Sequence, residues 1–85
     1  MLEGIIKERN KDQIECKAGS ISYGLCEYSD MGESVFIFSV KFEGRTGRCV
    51  LDCNTYKDAL RLYATFIRCK TTPLSLNETA YELFR

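Results

Sequence analysis

The chain reads as an α+β domain, an antiparallel β-meander of three to five strands followed by two C-terminal helices packed on one face. Three features of the sequence predict it. From Ile21 to Cys53 apolar residues alternate with polar ones, the two-residue period of strands that bury one face. After Cys53 the apolar period changes to that of a helix. Pro73 then separates this helical stretch from a second, shorter one.

At the N-terminus, Ile5 and Ile6 sit among charged residues, and Asn10-Lys11-Asp12 has turn chemistry. A strand near residues 3–9 and a short one over Ile14-Glu15-Cys16 fit this pattern, with an N-terminal helix as the alternative. Ala18-Gly19-Ser20 breaks the pattern before a clearer strand, Ile21 to Tyr28, whose apolar face is Ile21, Tyr23 and Leu25. Gly24 in its middle marks either a bulge or a close approach by another backbone or a ligand. Ser29-Asp30-Met31-Gly32-Glu33 supplies the next turn. A register with Leu25 opposite Phe38 also sets Tyr23 opposite Val40 and Ile21 opposite Phe42, all on one face.

The stretch Val35–Cys53 is predicted to be a hairpin turning at Gly44-Arg45-Thr46-Gly47. With Glu43 opposite Arg48 as a charge pair, Phe42 faces Cys49, Val40 faces Leu51 and Phe38 faces Cys53. The helix that follows is capped by Asn54 or Thr55, with Asp58 in its first turn. Tyr56, Ala59, Leu60, Tyr63, Ala64 and Ile67 form its apolar face, which Leu62, Phe66 and Cys69 widen beyond what one sheet contact requires. Ser75-Leu76-Asn77-Glu78 is a capping box opening a last helix to about Phe84, with Leu76, Ala80, Leu83 and Phe84 on its apolar side.

Eighty-five residues form a single domain, residues 1–85, with no room for a second core. Twelve basic and twelve acidic residues balance to a formal charge of zero, so neither a polyanion nor an anionic membrane surface is an expected partner. Nucleic acid is not expected either, because Tyr23, Phe36, Phe38 and Phe42 share the predicted core face and Tyr28 is the main exposed candidate for stacking. No apolar run approaches the roughly 20 residues of a membrane span, and Met1-Leu2-Glu3-Gly4 reads as a cytosolic start, so a cytoplasmic location is expected.

Five cysteines without a secretion signal read as reduced thiols, and Cys49 and Cys53 as small core residues. With no histidine, a metal site is not expected. The usual general base is also missing, and no phosphate-binding loop, serine elbow or activated thiol replaces it. Cys69 has basic neighbours, but it stands at a helix C-terminus, where the dipole opposes thiolate formation. No catalytic residue, cofactor or metal is therefore assigned.

Binding is the remaining chemistry. Val35, Ile37 and Val50 lie on the sheet face away from the core, and Leu62 and Phe66 extend the helix arc. Such surplus apolar surface predicts a docking surface for another protein, or a homodimer. The alternative is capture of a nucleotide-like or other anionic metabolite, with Arg45 and Arg48 of the turn and Arg61 and Arg68 of the helix converging on it. By analogy of size and character, a small cytosolic regulator or a phage- or mobile-element-type inhibitor is the expected role.

Tyr23-Gly24-Leu25 in a strand, Thr55 opening a helix, then Thr72-Pro73-Leu74-Ser75-Leu76, Glu78 and Glu82-Leu83-Phe84 follow one another in a recognisable order. In this order, over roughly residues 20–85, the chain resembles an uncharacterised small-protein family of Clostridia and their relatives, a domain of unknown function. It differs from that pattern in lacking a histidine after the proline and in a less acidic last helix. The resemblance implies a small α+β fold and no established activity.

Overall fold

The computed structural model describes residues 5–51 and 53–84. Met1 to Gly4, where the sequence places a cytosolic start and the beginning of the first strand, lie outside the described residues. So do the side chains of Ala80, Glu82, Leu83 and Phe84. Four strands, β1 (Ile5–Cys16), β2 (Gly19–Asp30), β3 (Glu33–Phe42) and β4 (Arg45–Leu51), form one antiparallel sheet in chain order. Two helices follow, α1 (Tyr56–Arg68) and α2 (Leu76–Phe84). The α+β meander expected from the alternating pattern is thus present, with four strands.

The β2–β3 register is the expected one, Leu25 opposite Phe38 and Tyr23 opposite Val40. The β3–β4 register is not. Phe38 pairs with Cys49, Phe36 with Leu51 and Val40 with Gly47, a slip of four residues from the predicted pairing. The reason lies in the turn, which is Glu43-Gly44 rather than Gly44 to Gly47. Both residues have positive φ, 53° and 77°, the pattern of a two-residue type I′ turn whose twist matches the strands it joins. Met31-Gly32 closes the β2–β3 hairpin in the same way, with φ of 52° and 82°. Glu43 is therefore a turn residue, and Arg48 stands opposite Ser39 instead of forming a charge pair with it.

The N-terminal segment corrects the sequence reading more deeply. Asn10-Lys11-Asp12 is not a turn, and β1 runs unbroken through it. Its irregularity is a β-bulge at Arg9, between the Glu8–Cys26 and Asn10–Leu25 pairs. Gly24, by contrast, sits in regular pairing on both sides.

The core lies between α1 and one face of the sheet, its inner face. Ile21, Tyr23, Leu25, Phe36, Phe38, Val40 and Leu51 meet Ala59, Tyr63 and Phe66 there. Phe66 stacks on Phe38 with ring centroids 4.2 Å apart, and Tyr63 meets the same ring edge-on at 6.1 Å. Burying a side chain of this kind contributes about 1.5–3 kcal/mol. Leu76, the first residue of α2, is buried in the same cluster. Gly47 makes room for it, since a Cβ there would lie 3.0 Å from Leu76 and 3.3 Å from the Cα of Pro73.

Where β1 meets α1 the contacts become polar. Tyr63 donates a 2.6 Å hydrogen bond to Asp12, and Tyr56 donates one to Asn10. The Arg9 guanidinium lies 4.2 Å from the Tyr56 ring centroid and pairs with Glu27 at 2.8 Å.

Thr55 caps α1, accepting a 3.2 Å hydrogen bond from the Asp58 amide. The other end closes as a Schellman motif. The Thr71 amide donates to Phe66 and the Lys70 amide to Ile67, with Lys70 in the left-handed position glycine usually takes. The capping box predicted at α2 is not formed. Ser75 turns back on Thr72 instead, its Oγ accepting from the Thr72 amide at 2.9 Å.

Candidate functional site

With α1 on the inner face, the outer face of the sheet is built from the alternate residues of each strand. The registers stack these residues in rungs across the strands. Ile6, Tyr28 and Val35 form the first rung, and Glu8, Cys26, Ile37 and Val50 the second. Lys11, Gly24, Ser39 and Arg48 form the third, and Gln13, Ser22, Lys41 and Thr46 the fourth. The face is therefore apolar at one end and cationic at the other. Ile6 is 67% exposed, Val50 61% and Val35 41%.

Part of this apolar end follows the sequence prediction. Val35, Ile37 and Val50 share the outer face, with Ile37 and Val50 directly opposed. Leu62 and Phe66 do not join them. Phe66 is fully buried against Phe38, and Leu62 packs on the core from α1, on the other side of the sheet. Leu62 and Phe66 of the widened arc are thus spent on the molecule's own core, with Phe66 at its centre, whereas Cys69 stays exposed. Ile6 and Cys26 complete the outer apolar rungs, and the charges around Ile6 hid its alternation in the sequence.

The arginines do not converge. Arg48 lies on the outer face, whereas Arg45 points to the inner-face rim beside Phe42 and Pro73. Arg61 and Arg68 are exposed on α1, beyond the inner face, where Arg68 donates to Thr65 at 3.4 Å. No single anion could contact all four. A different set of cations does come together. A hollow of about 340 Å³ over Gly24 and Ser39 is lined by Lys11, Lys41 and Arg48 together with Glu8.

A second open hollow, about 350 Å³, lies between β1 and α1 and is lined by Ile14, Leu60, Ala64 and Ile67 below Tyr63. Burial, and then the hydrogen bond to the Asp12 carboxylate, hold the Tyr63 phenol far above its ordinary pKa. Burial likewise raises Cys49, which lies partly covered against the core, and leaves it a poor nucleophile. Cys16, Cys26, Cys49 and Cys69 are free thiols, and Cys69 is exposed at the end of α1. Among the described residues, no three His, Cys, Asp or Glu side chains are grouped to hold a metal ion, and no helix is long and apolar enough to cross a membrane.

No family model matches the chain, and no curated protein or solved structure is detectably similar to it.

Proposed function

We propose that this is a non-catalytic cytoplasmic interaction module, a small regulator or inhibitor of the phage or mobile-element type, that works by binding protein through the outer face of its sheet. Self-association into a homodimer through the same face is part of this reading. The observation that carries it is the pair of adjacent rungs Ile6–Tyr28–Val35 and Cys26–Ile37–Val50, which form a contiguous apolar surface with nothing packed over it among the described residues. Contiguous exposed apolar surface of this sort marks an association site more often than isolated residues do. In this reading α1 and α2 both cover the inner face, which leaves the outer one to a partner.

Light scattering coupled to size-exclusion chromatography tests the proposal. The wild-type chain is expected to elute as a dimer, and Val50→Glu and Val35→Glu as monomers with unchanged circular dichroism. A wild-type monomer at high concentration would count against self-association.

A further inference from the structure

We propose that the hollow over Gly24 and Ser39 is a binding site for a phosphoryl group, carried by a small molecule rather than by nucleic acid. It lies on the outer face but does not depend on the apolar rungs or on self-association. The third rung carries a cation at each end, Lys11 and Arg48, and two small residues between them. At about 4.8 Å per strand, Lys11 and Arg48 stand about 14 Å apart at the backbone. Their long side chains therefore reach inward from opposite sides over a floor without bulk. Lys41, on the next rung, lines the same hollow, and Ser22 and Thr46 add hydroxyls.

Three features set this arrangement apart from an ordinary solvated surface. A chain with no net charge places three cations and one carboxylate, Glu8, around a single hollow. Among the described residues none of the three cations takes part in a salt bridge. Gly24 is not required by its backbone, which has no positive φ and no bulge. A glycine inside a strand is less stable than alanine would be, and what it provides here is room. A Cβ at this point would come 2.9 Å from Ser39 Oγ. That hydroxyl makes only a 3.5 Å contact with the Gly24 carbonyl, which leaves it able to donate to a ligand.

The chemistry suits a phosphoryl group. The Arg48 guanidinium can fork onto two of its oxygens, the two ammonium groups balance its charge, and the hydroxyls donate to what remains. The hollow is shallow and carries no row of exposed aromatic side chains, so it fits a compact anion rather than a stacked polynucleotide.

Titration of the ¹⁵N-labelled protein with pyrophosphate, at constant ionic strength set by chloride, tests this. Saturable amide shifts are expected at Ser22 to Gly24, Ser39 to Lys41 and Thr46 to Arg48. Lys41→Glu and Arg48→Glu, both at exposed positions, should each weaken binding about tenfold or more while leaving the rest of the spectrum unchanged. Val50→Glu should leave it within about twofold, which separates this site from the association surface. Shifts that do not saturate, that appear equally around Arg61 and Arg68, or that survive both charge reversals would overturn the proposal.

Discussion

The Tyr23 hydroxyl donates a 2.9 Å hydrogen bond to the carbonyl oxygen of Thr71, joining the middle of the sheet to the residue that ends the Schellman motif of α1. Both residues are buried, and Thr71 also donates through its amide and its Oγ1 to Phe66. The end of α1 is therefore held by one strand residue through a backbone acceptor.

Removing that donor leaves the Thr71 carbonyl buried without its partner. Tyr23→Phe is expected to lower stability by about 1–3 kcal/mol, the cost of a buried acceptor left unsatisfied. A lower urea midpoint with an unchanged slope is the expected result, because the same surface is exposed on unfolding.

Alkaline pH is expected to destabilise the fold. Burial and the Asp12 hydrogen bond raise the folded pKa of Tyr63, and burial and then Cys16 raise that of Tyr23. An unfolded tyrosine loses its proton near about pH 10, where the folded ones still hold theirs. Above that pH the unfolded state binds fewer protons, so stability is fully present below it and falls as pH rises. Urea midpoints at about pH 8 and about pH 11 should show the loss, and Tyr63→Phe should make it shallower.

Lys70 occupies the left-handed position of the Schellman motif with φ of 52°. A side chain there costs about 1 kcal/mol that glycine avoids. Lys70→Gly also removes a cation from the helix C-terminus, a loss of about 0.3 kcal/mol at an exposed site. The first effect outweighs the second, so the substitution should raise the thermal midpoint despite adding flexibility to the unfolded chain. A lower midpoint would show that the lysine is held by more than the backbone.

The parts of the fold legible in the sequence were those where alternation and turn chemistry agreed. Tyr23 and Leu25 against Phe38 and Val40 shared one face, and Met31-Gly32 lay where that register needs a turn. Between β3 and β4 the pattern could not decide, because a slip of four residues keeps every side chain on its own face. The choice rested on Glu43 adopting positive φ, for which glutamate carries no local signal. β1 was obscured for a different reason. Its inner residues Asn10 and Asp12 meet tyrosine hydroxyls of α1, so the strand lacks the apolar alternation that normally reveals one. The apolar end of the outer face was partly visible through Val35, Ile37 and Val50. The cationic end was not, because Lys11 comes from that hidden strand and meets Gly24, Ser39 and Arg48 only once four strands are aligned.

The order of the strands also bears on how the chain reaches this state. Each strand pairs with its neighbour in sequence, so the sheet can assemble hairpin by hairpin, each on the order of 1–10 μs in isolation. The hydrogen bonds from Tyr23 to Thr71 and from Tyr63 to Asp12 close spans of 48 and 51 residues. Docking of α1 is therefore expected to follow the meander. Substitutions such as Tyr23→Phe should then act mainly on the unfolding rate, prolonging or shortening the life of the folded molecule while leaving the speed of its formation nearly unchanged.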